Sequence, residues 1–271
     1  MSGFPTLEVS DAGLAPPGFT FCTVRSRALG RRADVLFYNA DCICEDIPVI
    51  ILLHGVFGSA WSWAFQGGAH RVYDRLRSAG EIGDFALVMP SDGLAGDGSG
   101  YINRVAGRFD DWIADELVEL ARLRIVHMSA ASPVFIAGLS MGGFGALRLA
   151  RLHPGTFAGV SAHSPICEAA DFRHFTSDDP LSDTLDPAVP ASIADLYTTR
   201  GISVPPIRFD CGDQDVLRPS VERLASRLTL AGVPHRYEPL SGGHDWKYWS
   251  RAFERTLEFF GTIGRSVPRK E

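Results

Sequence analysis

Residues 47–55, IPVIILLHG, are an unbroken apolar and mostly β-branched run that ends at a histidine and a glycine. With no alternation to turn one face to water, the run predicts a strand buried on both faces of a parallel sheet. Upstream, residues 20–40 alternate loosely and break at Gly30, which predicts two antiparallel entry strands joined by a polar turn. Downstream the pattern switches regularly between helical spacing and short apolar runs. Helices are predicted over 69–80, 109–124, 142–153, 220–232 and 246–263, and strands over 85–90, 133–138, 157–164, 205–212 and 235–240. This alternation defines an α/β fold with a mostly parallel central sheet and helices on both faces. We expect one domain over 1–271. The stretch 165–200, rich in Pro and Asp and lacking a strand pattern, is expected to be a cap-like or substrate-side insertion, and the tail 264–271 is expected to fray.

Composition narrows the possible partners. Hydrophobic residues make up 45% of the 271 positions and charged ones 21%, which suits a globular core. The 32 acidic and 26 basic side chains give a net charge of −6 with no basic cluster, so nucleic-acid binding is not expected. The amino-terminal stretch has no basic region followed by an apolar one, and no apolar run reaches the roughly 18 residues a membrane span needs. A cytoplasmic protein without membrane partners is expected; self-association stays compatible with the sequence. The five cysteines are an odd number, and the one close pair, Cys42 and Cys44, is C-x-C rather than a zinc-type C-x-x-C. A reducing compartment and no structural metal follow, with Cys42 and Cys44 read as small hydrophobes at a strand end.

The chemistry centres on VFIAGLSMGGFGALRLA, residues 134–150. Gly138, Leu139, Ser140, Met141 and Gly142 form G-x-S-x-G between a predicted strand and a predicted helix, the setting of a nucleophile elbow. A serine projecting from so sharp a turn requires glycine on both sides. The small residues Gly143, Gly145 and Ala146 would also let the helix pack close to the sheet. A serine hydroxyl needs a base and an acid to orient that base, in the chain order Ser, acid, His. Among the histidines after Ser140, His153 ends the elbow helix, His163 ends a strand before any candidate acid, and His174 lies in the insertion. His235 opens a strand, whereas His244 sits in a turn before the last helix, where a base can reach the serine. The acid lies in FDCGDQDVL: Asp215 suits a loop reaching His244, Asp213 is the alternative and could instead shape the turn, and Asp210 belongs to the strand. Asp245 adjoins the base too closely to turn back onto it. Backbone N–H groups of Met141 and of Val56, in the loop after the first parallel strand, are the expected oxyanion donors. His54 is expected to brace that loop and Gly55 to permit close approach.

Other motifs have plainer readings. SDGLAGDGSG (91–100) lacks both the Lys-Ser/Thr of a phosphate loop and the closing Glu of a calcium loop, and is read as a substrate-side loop. Trp61, Trp63, Phe65, Trp246, Tyr248 and Trp249 flank the candidate site, and about half are expected to pack the core while the rest wall the mouth.

SRALGRRADVLFY, VIILLHGVFGS, GLSMGGFGALRLA, CGDQDVL and GGHDWKYW, in this order, resemble the esterase D or "putative esterase" family of α/β-hydrolases over nearly the whole chain. That family includes S-formylglutathione hydrolases, feruloyl and acetyl-xylan esterases, siderophore esterases and mycolyltransferases. The resemblance implies an α/β-hydrolase fold with Ser140 as nucleophile, Asp215 as acid, His244 as base, and Val56 and Met141 as oxyanion donors. HGVFGS stands where S-formylglutathione hydrolases carry a cysteine-containing loop. The expected activity is carboxylic ester hydrolysis of a small-molecule substrate through an acyl-enzyme, with no cofactor and no metal. The alternatives are acyl transfer to an alcohol or amine and, from a different class, a binding protein that keeps the fold without turnover.

Overall fold

A computed structural model of the chain describes residues 3–179, 181, 183–185, 192–198 and 203–266. Part of the expected insertion and the end of the expected frayed tail lie outside the described residues. The strands are β1 (Leu7–Val9), β2 (Phe19–Arg25), β3 (Arg32–Tyr38), β4 (Val49–Leu53), β5 (Ala86–Pro90), the short β6 (Asn103–Arg104) and β7 (Gly107–Arg108), β8 (Val134–Leu139), β9 (Gly159–His163), β10 (Ile207–Gly212) and β11 (Arg236–Leu240). β6 and β7 form a separate two-stranded ribbon, in which Arg104 also bridges Thr184, and the remaining nine form one sheet in the order β1-β2-β3-β5-β4-β8-β9-β10-β11. β1, β2 and β3 enter antiparallel; from β5 to β11 all neighbours run parallel. β4, β5, β8, β9 and β10 are buried along their whole length, as continuous apolar runs require in a sheet covered on both faces. β11 is the edge, and its exposed and half-buried positions explain why its sequence, RYEPL, is the most polar of the parallel set.

The helices are α1 (Ser62–Phe65), α2 (Ala69–Ser78), α3 (Phe109–Asp111), α4 (Leu117–Arg124), α5 (Met141–Leu152), α6 (Ile193–Thr198), α7 (Arg218–Leu230) and α8 (Trp246–Ser266). Two apolar cores lie on opposite faces of the sheet. One takes side chains from α4, α5, α6 and α7, the other from α2 and α8. The helix expected over 109–124 is interrupted by a π-helical turn at Trp112–Glu116. There the Trp112 indole donates to the Ser91 carbonyl and the buried Glu116 carboxylate accepts the Ser26 hydroxyl, both long-range contacts that local periodicity does not reveal.

The segment 165–200, expected to be a cap-like or substrate-side insertion without a strand pattern, is partly helical in its described residues. Ala169–His174 is a 3-10 turn with a reciprocal Glu168/Asp171 capping box, and α6 packs against α5 and α7 as a member of the helical layer. Cys42 and Cys44 are free, half-buried and packed against the core, in keeping with their reading as small hydrophobes. Among the described residues no helix is long and apolar enough to cross a membrane.

Candidate active site

The site gathers at the carboxyl ends of β4, β8, β10 and β11, beside the point where the strand order departs from chain order at β4, the usual crevice of an open α/β sheet. At the end of β8 the chain turns straight into α5, and Ser140 takes up φ 54° and ψ −119°, a strained conformation for a residue with a side chain. The flanking glycines are sterically obligatory. A Cβ on Gly138 would lie 2.2 Å from the Gly142 carbonyl oxygen, and one on Gly142 would lie 2.3 Å from the Leu53 carbonyl oxygen, backbone atoms that cannot yield. The Ser140 N–H donates to the His163 carbonyl at 2.9 Å, fixing the turn to the neighbouring strand.

His244 Nε2 lies 3.0 Å from Ser140 Oγ, and His244 Nδ1 lies 2.9 Å from Asp215 Oδ2. An ionised carboxylate only accepts, so Nδ1 carries the proton and Nε2 offers its lone pair to the serine hydroxyl. The other oxygen of Asp215 accepts the Leu217 N–H at 2.9 Å. Burial opposes ionisation of Asp215, but the hydrogen bond from His244, with those from Ser164 and the Leu217 N–H, outweighs it and holds the carboxyl below its ordinary value.

Asp213 reaches across to a neighbouring loop. Its Oδ1 accepts the Gly242 N–H in the loop of His244, because parallel pairing ends β10 and β11 side by side and brings their turns together. Asp210 is fully buried and accepts from His163 Nδ1 at 2.8 Å, Arg208 at 2.6 Å and the Tyr248 hydroxyl. Burial raises its pKa, but the charges of His163 and Arg208 prevail and set it at about 2. Asp245 caps α8 by accepting the Tyr248 N–H at 2.8 Å. His235 bonds the Val233 carbonyl and stacks on Phe209, and His153 pairs with Asp110. His174, expected only to belong to the insertion, lines the pocket beside Ser140.

His54 braces the loop after β4, as its position implies. Its Nδ1 donates to the Gly55 carbonyl at 2.7 Å, its Nε2 accepts the Asp92 N–H at 3.2 Å, and its carbonyl accepts the Tyr101 hydroxyl at 3.1 Å. Both ring nitrogens are thus engaged away from Ser140. Gly55 lies against Ser140, where a Cβ would be 3.4 Å from the serine Cβ. Among the described residues no hydrogen-bond acceptor faces the N–H groups of Val56 and Met141; Met141 opens α5, where helix geometry supplies none. The 91–100 loop packs on both donors, since a Cβ on Gly98 would meet Met141 Sδ at 2.4 Å and Val56 Cγ1 at 3.6 Å.

A cavity of about 440 Å³ opens over Ser140 and His244, lined by Gly55, Val56, Phe57, Gly58, Gln66, Leu139, His174, Phe175, Trp246 and Trp249. Another groove of about 390 Å³ follows α8 along β11 and is lined by none of Ser140, Asp215 and His244. Of the flanking aromatics, Trp63 and Tyr248 are buried, Trp61 and Phe65 are exposed, and Trp246 and Trp249 line the cavity. Phe175 had no periodic or motif signal, yet its ring stacks on the imidazole of His244. No cluster of three metal-ligating side chains occurs among the described residues.

Sheet order and the strand–turn–helix at Ser140 define an α/β-hydrolase. The family described as "Putative esterase" matches residues 26–260; the chain belongs to that family and is a serine ester hydrolase. It is 26% identical over 245 residues to an acetyl esterase of Caldicellulosiruptor saccharolyticus, covering 83% of this chain and 88% of that one. Its fold is similar to that of a ferulic acid esterase (TM-score 0.76, 24% identity, 90% of this chain and 97% of the other). The fold is also similar to that of the substrate-bound fluorophosphonate-binding serine hydrolase F of Staphylococcus aureus (TM-score 0.74, 22% identity, 90% and 98%).

Proposed function

We propose that this esterase cleaves small-molecule carboxylic esters through an acyl-enzyme on Ser140, with His244 as general base and acid and Asp215 as its orienting carboxylate. The observation that carries this reading is the unbroken relay from Ser140 Oγ through His244 to Asp215, with contacts of 3.0 and 2.9 Å. His244 removes the proton as Ser140 attacks the carbonyl carbon. The oxyanion is held by the N–H groups of Val56 and Met141. His244 then protonates the leaving alcohol, and water repeats the sequence to release the acid.

The lining supports a substrate with a flat or apolar portion: Phe57, Phe175, Trp246 and Trp249 form the walls, with Gln66 and His174 as polar groups at the mouth. Acetyl and ferulic acid esters, named for the relatives above, are the first substrates to compare. We take the chain as a single catalytic domain in which the expected insertion, 165–200, contributes His174 and Phe175 to the substrate-side rim. The free cysteines fit a reducing, cytoplasmic setting, and the dispersed charge fits a small-molecule partner.

The test is turnover of short-chain aryl esters by purified protein together with fluorophosphonate labelling. Both should be present in the wild type and absent in Ser140→Ala; turnover by that variant at the wild-type rate overturns the assignment. Product analysis with competing alcohols or amines decides between hydrolysis and transfer, with the free acid expected to dominate.

A further inference from the structure

Phe175 lies in the connection between β9 and β10, outside every strand and helix of the sheet scaffold, yet it covers one face of the proposed base. Its ring centroid is 4.4 Å from that of His244, with 20° between the planes. Trp249, in the first turn of α8, meets the same imidazole perpendicularly at 4.9 Å and 85°. The bond to Asp215 fixes one ring nitrogen of His244 but leaves the ring free to tilt about that contact. A parallel neighbour and a perpendicular one remove that freedom.

The segment carrying Phe175 is itself anchored at two places. Phe172 is buried and packs edge-on against Phe144 of α5 at 5.4 Å. On the other side of Phe175, the Thr176 hydroxyl donates to Asp97 Oδ2 at 2.5 Å, and the Asp97 N–H donates to Asp178 Oδ2 at 2.9 Å. Asp97 also reaches the oxyanion loop, where its carbonyl accepts the Phe57 N–H at 2.8 Å, one residue beyond Val56. One residue of the glycine-rich loop therefore touches both the segment that seats the imidazole and the loop that offers an oxyanion donor.

We propose that Phe175 and Asp97 are positioning residues: Asp97, through Thr176, holds the flat ring of Phe175 against His244 so that Nε2 stays aimed at Ser140. This rests on the reading of His244 as the base. Neither residue takes part in bond making. Their effect is on the geometry of proton transfer, where a misplacement of about 1 Å can cost about 100-fold in rate.

The experiment compares kcat and KM on a short-chain aryl ester for a set of variants whose melting temperatures are also measured. Phe175→Leu keeps apolar bulk without a flat ring and should lower kcat about 10-fold or more while KM changes less than about 3-fold; Phe175→Tyr should restore kcat. Asp97→Ala and Thr176→Val should lower kcat in the same direction, whereas Asp97→Asn, which still accepts from Thr176, should retain most of it. In the double variant Phe175→Leu/Asp97→Ala, kcat should fall little below that of Phe175→Leu alone, because both act through one contact. Wild-type kcat in Phe175→Leu overturns the seat, and wild-type kcat in both Asp97→Ala and Thr176→Val overturns the clasp. His244→Ala is measured alongside. If it keeps turnover, the base assignment itself fails; if it is inactive while the other variants are unchanged, only the positioning roles fail.

Discussion

Asp213 Oδ1 accepts the backbone N–H of Gly242 at 2.9 Å, fastening the turn that carries Asp215 to the turn that carries His244. The Gln214 N–H returns a bond to the Gly242 carbonyl at 2.9 Å, and a Cβ on Gly212 would fall 2.2 Å from that same carbonyl oxygen. The two turns are in direct contact because β10 and β11 end in register, Gly212 opposite Leu240. Asp215 and His244, 29 residues apart in sequence, are thereby held by backbone as well as by their own hydrogen bond.

The two neighbouring carboxylates should therefore separate cleanly on substitution. Asp215→Asn leaves a group that can present its N–H to Nδ1 and stabilise the wrong tautomer, so kcat should fall about 10⁴-fold with the fold intact. Asp213→Asn keeps an acceptor for Gly242 and should retain activity, while Asp213→Ala should cost about 1 kcal/mol of stability. Steady-state kinetics and urea unfolding of the three variants check this.

Ser140→Ala removes only the hydroxyl from the strained turn. Turnover should fall by at least about 10³-fold and fluorophosphonate labelling should vanish. Circular dichroism and melting temperature should match the wild type, because the bonds that hold the turn are made by backbone atoms.

Glycines in this chain should differ sharply in tolerance. Gly142→Ala sets a methyl group against the Leu53 and His54 carbonyl oxygens, at 2.3 and 2.6 Å, and should destabilise by about 3 kcal/mol or more. Gly83→Ala meets nothing within 4 Å and lies outside the left-handed region, so its effect should stay within about 0.5 kcal/mol. Denaturant unfolding of the pair tests the difference.

Acid stability should report the buried Asp210. Its folded-state pKa of about 2 lies below the ordinary carboxylate value of about 3.9, so its stabilising contribution is complete above about pH 4 and is lost as pH falls toward about 2. Asp210→Asn leaves Arg208 without this carboxylate and should cost about 3–5 kcal/mol at pH 7. The gap between variant and wild type should narrow as pH falls through that window. Thermal melts between pH 2 and pH 7 measure it.

The regular elements were legible because each carries a local signal. The buried strands are continuous apolar runs, and the helices show apolar spacing, so predicted and observed boundaries agree within about two residues at most ends. Where two elements share contacts that local pattern does not encode, legibility ended. Glu116 answers a turn 90 residues away, and the π-helical turn beside it has no periodic signature. α6 is too short to show a helical period, and it is defined by packing on α5 and α7. β1, three residues long, is defined by its pairing with β2.

By itself the sequence determined the strand–helix alternation and the sharp turn at Ser140. A G-x-S-x-G between an apolar run and a helix admits few backbone paths, since neighbouring carbonyls exclude a Cβ on either flanking glycine. It also singled out His244 as the candidate base, by chain order and place. Only the tertiary structure decided what each of the clustered aspartates does: Asp215 faces the imidazole, Asp213 the opposing backbone, and Asp210 an arginine and a histidine inside the sheet. The physical reason is direction. Spacing along a chain sets how far a carboxylate can reach, whereas the pairing of β10 with β9 and β11 sets where it points and what stands there.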